Sequence, residues 1–277
     1  MPLLSIITIN RNNAQGLKKT IESVVTQTET DFGDVEYIII DGNSTDGSKE
    51  IIKDFAGNPE YKDKITYWVS EPDTGIYNAM NKGIKKATGV YCLFLNSGDY
   101  LIENNLHNVL AFANKNKDAD IIYSDIPEYQ GYKKLYFPKT VDENYFIETT
   151  ICHQNSLIKR TLFEELGLYS EELKIVSDWR FWLICAKANK FFLHTEHPIS
   201  YLDRTGISNQ ETSQNLIMEE RKKTIKELYP GIYKTIFELI EYKSSTYGSI
   251  IKLFGNSKSL EFILKTYRWF ARRLVKK

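Results

Sequence analysis

Apolar residues in this chain come in short blocks that break abruptly into polar loops. Residues 3–9 form an apolar run with β-branched side chains, broken at Asn10, Arg11, Asn12 and Asn13; this reads as a buried strand ending in a polar loop. Leu17, Ile21, Val24 and Val25 then recur at helical spacing, and residues 35–40 form a second buried strand closed by Asp41 and Gly42. Ile51, Ile52 and Phe55 predict a short helix. A third strand over residues 65–69 ends in Glu71-Pro72-Asp73, and Ile76, Met80 and Ile84 mark one face of a helix over residues 75–86. A fourth strand, residues 90–95, stops at Asn96-Ser97-Gly98-Asp99. Strands alternating with helices imply right-handed crossovers and a doubly wound, Rossmann-like α/β sheet with its polar loops on one edge. Ligands bind outside the carboxyl ends of such strands, so Asp99 is a candidate metal ligand, although residues 96–99 also read as a simple turn.

Beyond Asp99 the alternation weakens. Residues 121–123 predict a strand, residues 129–136 around Gly131 a hairpin or flexible excursion, and residues 152–158 another strand led by His153 and Gln154. Phe181, Trp182, Ile184 and Cys185 predict a helix over residues 178–188, opened by Ser177 and Asp178 as N-cap residues. Short strands over residues 191–193 and 199–202 precede a polar loop beginning at Asp203. From Ser213 the pattern is helical, with Pro230-Gly231 dividing two segments. The last segment sets Leu260, Ile263, Leu264, Tyr267, Phe270 and Leu274 on one face, against Lys258, Lys265, Arg268, Arg272 and Lys276 on the other.

A length of 277 residues with 42% hydrophobic content suits one large α/β domain over residues 1–212 and a helical extension over residues 213–277. The 36 basic and 36 acidic residues cancel, which gives no reason to invoke nucleic acid. Their distribution is uneven: residues 243–277 carry nine Lys or Arg against Glu261 alone, leaving an acidic body and a basic tail. Trp269, Phe270 and this basic cluster fit an interfacial helix on an anionic membrane surface. Cys92, Cys152 and Cys185 are odd in number and widely spaced, as expected of reduced thiols in the cytoplasm. The first ten residues have no basic n-region, and no apolar run reaches the roughly 18 to 20 residues that span a bilayer. The expected location is cytoplasmic, peripheral on the inner face of the cell membrane.

No G-x-G-x-x-G follows the first strand and no G-x-x-x-x-G-K-[ST] occurs, so dinucleotide and P-loop chemistry lose their main support. The block S-E-P-D-T-G-I-Y-N-A-M-N-K-G-I, residues 70–84, instead resembles one typical of family-2 inverting glycosyltransferases of bacterial polysaccharide assembly, which have the GT-A fold. Further support comes from S-I-I-T-I-N-R-N, I-I-I-D-G-N-S-T-D-G-S, and the ordered trio N-S-G-D, H-Q and S-D-W. The resemblance runs from Leu3 to about Ser208.

The resemblance implies a sugar transfer from a nucleotide-diphosphate donor, expected to be UDP-linked, to a hydroxyl of a saccharide or lipid-linked saccharide. Asp41 matches the acid that contacts the nucleotide base, and a carboxylate suits the N3–H of uracil; its alternative is a turn-stabilising residue. Asp73 lies in the block bordering the nucleotide, with Asn78, Asn81 and Lys82 near it, although Asn81 and Lys82 also fit an exposed helix face. Asp99 matches the last acid of the D-x-D motif, which holds Mn²⁺ or Mg²⁺ at the donor diphosphate; Ser97 occupies that motif's first position. Asp178 matches the general base, with Ser177 in place of the usual preceding glutamate and Arg180 where a second acid is common. His153, Gln154 and Trp179 fall on the acceptor side, where a core histidine is the alternative for His153. Arg204 resembles the basic residue of a loop over the diphosphate, for which a surface salt bridge is the alternative. The departures at Ser97, Ser177 and Arg180 leave a second functional reading open: a nucleotide-sugar-binding partner subunit or membrane scaffold without turnover.

Overall fold

The computed structural model describes residues 1–244 apart from Glu29, Gln130 and residues 204–210. Arg204 and the basic tail beyond residue 244 lie outside the described residues. The first of two compact units spans Met1–Thr224 and the second begins at Ile225.

Strands β1 (Leu4–Asn10), β2 (Val35–Asp41), β3 (Tyr67–Ser70) and β4 (Tyr91–Phe94) are joined by helices α1 (Ala14–Val25), α2 (Ser48–Gly57) and α3 (Ile76–Lys86). A two-residue strand β5 (Tyr100–Leu101), helix α4 (Leu106–Lys115), β6 (Ile121–Ser124) and α5 (Glu143–Glu148) follow. The unit continues through β7 (Ser156–Lys159), α6 (Thr161–Leu166), α7 (Ser177–Lys187), β8 (Phe192–Thr195) and β9 (Ser200–Tyr201). Helix α8 (Gln214–Leu228) crosses the unit boundary, and α9 (Tyr233–Ser244) belongs to the second unit.

Seven strands form one sheet in the order β3-β2-β1-β4-β7-β6-β8, and β5 pairs with β9 in a separate antiparallel ribbon. Only β7 runs against its neighbours in the large sheet. All seven residues of β1 and of β2 are buried, as a strand covered by helices on both faces must be. One face packs Leu4, Ile6, Tyr37, Ile39 and Leu93 against Leu17, Ile21 and Val24 of α1 and Val109 of α4. Each such side chain contributes roughly 1.5–3 kcal/mol by leaving water. On the other face α3 approaches β1 so closely that a Cβ at Gly83 would lie 2.4 Å from Ile7 Cγ2.

The parallel register aligns Asn10 with Asp41 and Asp41 with Ser70. The Ser97 amide donates to Ile9 O, placing the turn after β4 beside the same edge. Two expected local structures differ. Residues 153–155 form a 3₁₀ turn rather than the start of a strand, because the buried Asn155 spends its amide on the backbone and hydroxyl of Ser200 and the amide of Ile199. Ser177 and Asp178 are the first helical residues of α7, and Val176 is its N-cap without a side-chain bond.

Candidate active site

Four short polar segments meet where β1, β2, β3 and β4 end. Asp41 is 0% exposed. Its carboxylate accepts from Asn10 Nδ2 at 2.7 Å, Ser44 Oγ at 2.5 Å, Ser44 N at 3.0 Å and Ser70 Oγ at 2.6 Å. Burial pushes its pKa up, but the bonds from Ser44, Ser70 and Asn10 outweigh burial and hold the carboxyl below its ordinary value. Four donors occupy the roughly four acceptor positions of a carboxylate. Asp41 therefore pins three strand ends together, and a nucleobase could bond to it only by displacing one of those donors.

Asp73 is the acid that lines the adjoining cleft, a space of about 290 Å³ bounded also by Asn10, Arg11, Asn13, Asn96 and Ser97. Its carboxylate accepts from Gly75 N at 3.1 Å and pairs with the exposed Arg11 guanidinium at 3.4 Å. Asn78 and Lys82, expected beside the donor, turn to other tasks. Lys82 Nζ bonds Glu71 at 2.7 Å and Pro72 O at 2.8 Å, and Asn78 Nδ2 donates to Glu171 at 2.9 Å. Asn81 is buried, exchanging bonds with Tyr169 and donating to Glu171. These residues fix the loop that carries Asp73.

The Asn96–Asp99 turn is held from below by Thr20, whose hydroxyl accepts from Gly98 N at 2.9 Å and donates to Asp99 O at 2.7 Å. Gly98 has φ 106°, and a Cβ there would lie 2.6 Å from Asp203 Oδ2, so the turn needs glycine for both conformation and space. Ser97 O and Oγ lie 3.0 and 3.5 Å from Asn13 Nδ2. Asp99 is 3% exposed and accepts from Asp203 N at 2.8 Å. Burial pushes its carboxyl up to about 7, against the lowering effect of the Asp203 amide, His153 and the Gln154 side chain. Two carboxylates, Asp99 and Asp203, thus stand at this turn, and only the first was singled out from sequence.

No cluster of three or more His, Cys, Asp and Glu residues suited to a metal occurs among the described residues. The donor set at the turn is nevertheless all oxygen, and Mg²⁺ characteristically uses one or two carboxylates with waters and substrate phosphates. The residues fit a hard divalent cation completed by a donor diphosphate.

Asp178 faces this turn across His153. Its Oδ2 lies 2.9 Å from His153 Nδ1 and its Oδ1 3.0 Å from the Tyr77 hydroxyl. His153 Nε2 lies 3.4 Å from Asn96 Nδ2, an arrangement in which Nδ1 carries the proton and donates to Asp178. Burial pushes the Asp178 carboxyl up, but His153, the Trp179 amide and Tyr77 together hold it below its ordinary value. The side chain keeps 19% exposure: an ionised, oriented carboxylate within reach of a ligand.

Trp179, expected on the acceptor side, is instead a buried pin. Its indole N–H reaches Phe146 O at 2.7 Å and Thr149 O at 3.1 Å, and the Arg221 guanidinium covers its ring at 4.7 Å. Glu220, the residue before Arg221, accepts from the amides of Lys174 (2.6 Å), Ile175 (3.0 Å) and Val176 (3.2 Å). It anchors the segment leading into α7. Neither residue was visible as functional in the sequence, where both sit in a charged stretch of a helix.

The family model described as glycosyl transferase family 2 matches residues 5–167. A PGL/p-HBAD biosynthesis glycosyltransferase of Mycobacterium bovis is 31% identical over 211 residues, covering 75% of this chain and 80% of that protein. An uncharacterized glycosyltransferase of Rickettsia typhi is 27% identical over 266 residues, covering 89% and 77% respectively. Among solved structures, S. aureus TarS in complex with UDP-GlcNAc is similar with a TM-score of 0.64 at 17% identity, covering 88% of this chain and 74% of that chain. The mannosyltransferase PcManGT of Pyrobaculum calidifontis, in complex with GDP-Man and Mn²⁺, gives 0.65 at 13%, covering 98% and 80%. The mostly parallel sheet, its aligned polar edge and these likenesses agree on the GT-A fold, and the chain belongs to glycosyl transferase family 2.

Proposed function

We propose that this chain is an inverting glycosyltransferase that moves a sugar from a UDP-sugar to a hydroxyl of a saccharide or lipid-linked saccharide acceptor in surface polysaccharide synthesis. The observation that carries the reading is the His153-held, ionised Asp178 carboxylate facing the Asn96–Asp99 turn. In this reading the nucleoside lies in the Asp73 cleft, with Arg11 beside it and Asn10 and Asn13 below. The diphosphate lies toward Ser97 and Asp99, and Asp99 would hold Mn²⁺ or Mg²⁺ there. When bound, that cation supplies charge neutralisation for the departing diphosphate.

Asp178 takes the proton from the acceptor hydroxyl as its oxygen bonds to the anomeric carbon. The bond from that carbon to the diphosphate oxygen breaks on the opposite face, inverting the configuration. His153 aims one carboxylate oxygen and the Tyr77 hydroxyl the other, and the second lone pairs of these oxygens remain to accept the proton. General-base assistance of this kind is worth about 10²–10⁴ in rate.

The donor assignment draws support from the UDP and UDP-GlcNAc complexes of TarS, and the cation from the Mn²⁺ complex of PcManGT. Membrane attachment through the basic C-terminal segment belongs to the same reading and rests on the charge pattern of residues 243–277. Among the described residues no helix is long and apolar enough to cross a membrane.

Asp178→Asn tests the base: transfer, and release of UDP from UDP-GlcNAc with Mn²⁺, should fall at least about a hundredfold while calorimetric donor binding persists. Near-normal turnover in that variant would remove Asp178 from the chemistry. Absence of any UDP release by the unaltered protein across UDP-sugars would favour the non-catalytic partner reading.

A further inference from the structure

Arg221 is a half-buried cation that the reaction scheme leaves unused. It is placed by Glu220, the residue before it, whose bonds from the amides of Lys174, Ile175 and Val176 hold α8 against the chain entering α7. The Arg221 guanidinium sits over the Trp179 ring, 4.7 Å from its centre. The indole beneath is pinned by its bonds to Phe146 O and Thr149 O, and Trp179 directly follows Asp178. Arg221 Nε is shut off from solvent without a hydrogen-bond partner, and among the described residues no carboxylate forms an ion pair with the guanidinium.

A guanidinium that leaves water without a carboxylate to receive its donors loses solvation that an aromatic face offsets only in part. An apolar side chain would cover Trp179 without that loss, as the replacement of other buried charges by hydrophobic residues shows. The charge itself therefore needs a function. Burial pushes the Arg221 pKa below its ordinary value, and the charge that opposes burial is that of Asp178. We propose that Arg221 is a positioning residue for proton transfer: seated over Trp179, its guanidinium supplies the fixed positive charge against which the neighbouring Asp178 carboxylate works as base. Its consequence for turnover rests on the transferase reading; its action on the Asp178 carboxyl does not.

The groups that act on Asp178 come from four sides. Cys152 and His153 belong to the turn before β7, Tyr77 to α3, Tyr169 to the loop between α6 and α7, and Arg221 to α8. Burial pushes the Cys152 thiol and the Tyr77 and Tyr169 hydroxyls up, so all three are neutral at working pH. Imidazoles change charge between pH 5 and 8, whereas an arginine keeps its charge throughout. When Asp178 accepts the acceptor's proton, its attraction to Arg221 is lost. The guanidinium thus opposes protonation and holds the base ionised to lower pH. Because Trp179 is pinned, that charge is oriented before the reaction begins.

The test follows the Asp178 carboxyl itself by carbon NMR in the full chain carrying carboxyl-labelled aspartate, its signal assigned by its loss in Asp178→Asn. In Arg221→Gln the titration midpoint should rise by about half a pH unit or more, and the acid limb of UDP release from UDP-GlcNAc with Mn²⁺ should rise with it. Arg221→Met, whose apolar side chain still covers the indole, should show the same rise, and Arg221→Lys, which keeps the charge, should show none. Thermal melting of each variant is the control for folding, since a role confined to packing on Trp179 would lower Tm without moving the midpoint. An unmoved midpoint in Arg221→Gln and Arg221→Met, or an equal rise in Arg221→Lys, overturns the proposal. The two readings fail separately: a midpoint that rises while the unaltered protein releases no UDP supports the link to Asp178 and sinks the transferase reading alone. UDP release with an unmoved midpoint sinks the role of Arg221 alone.

Discussion

Glu220 offers the sharpest check on how this site is held together. It is 7% exposed and its carboxylate accepts three consecutive backbone amides, from Lys174, Ile175 and Val176, immediately before the helix that presents Asp178. The first two residues of α7 therefore owe their placement to a side chain some 40 residues later in the chain. In Glu220→Ala all three amides lose their acceptor. Hydrogen bonds to a charged group contribute about 1.5–3 kcal/mol each, but water entering the vacated space recovers part of that, so a net loss of about 3 kcal/mol is expected. For a unit of this size that loss lowers Tm by about 6–12 °C. Glu220→Gln should fall between, because the amide oxygen can still accept from Ile175 and Val176 while its NH₂ group meets the Lys174 N–H donor to donor. The functional signature differs from a simple loss of stability. At a temperature where the variant is fully folded, kcat should fall because Asp178 loses its fixed approach, while donor affinity, set at the far end of β1 and β2, should hold. Differential scanning fluorimetry with calorimetric UDP binding measures both. A Tm shift under about 2 °C in Glu220→Ala, or a donor affinity that falls in step with kcat, would refute the reasoning.

Other expectations follow from the same geometry. Asp99→Ala should abolish the Mn²⁺-dependent part of UDP binding in calorimetry; identical binding with and without metal in both proteins would exclude Asp99 as a ligand. His153→Ala should move the acid limb of the kcat/KM profile upward. The folded Asp178 carboxyl is held low largely by His153 against burial, so without the imidazole burial prevails and the base protonates at higher pH. The sign for stability is consistent: a depressed carboxylate stabilises above its unfolded pKa and that contribution is lost as pH falls through the folded one. His153→Ala should therefore lose stability at neutral pH and show a smaller further loss on acidification, read by melting at several pH values. Gly98→Ala should destabilise the turn through its φ of 106° and its approach to Asp203, with metal-dependent binding weakened more than metal-free UDP binding.

The first half of the site was legible because structure and pattern share a cause. Strands β1, β2, β3 and β4 are buried runs, and the place where each run breaks into polar residues is also the place where its strand leaves the sheet. Asn10, Asp41, Ser70 and Ser97 could therefore be assigned to one edge from sequence. Their roles were less legible than their location. Whether Asp41 faces a ligand or ties strands together depends on Asn10, Ser44 and Ser70 converging on it, and no one-dimensional pattern records that convergence. The same holds for Trp179 and Lys82, whose residue types suit ligands but whose partners are Phe146, Thr149 and Glu71.

The second half was obscure for a different reason. Its active groups are assembled by single long-range contacts from segments with little periodicity. Tyr77 reaches Asp178 from 101 residues away, Asp203 reaches Asp99 from 104, and Asn96 meets His153 from 57. Glu220 lies on the face of α8 that its charge assigns to solvent, yet three backbone amides without other partners draw it inward, because a buried donor left unpaired costs more than a carboxylate loses by leaving water for three such bonds. The three amides precede the first turn of α7, so Glu220 fixes the chain that enters the helix and does not take the donors a cap would satisfy. A side chain at Ser177 or Asp178 that capped its own helix would serve only local order, whereas Asp178 lies inside the first turn, where its carboxylate meets His153, Tyr77 and the open cleft. The position that looks like a helix cap in the sequence is available for proton transfer because its carboxylate faces these groups while Glu220 secures the chain before it.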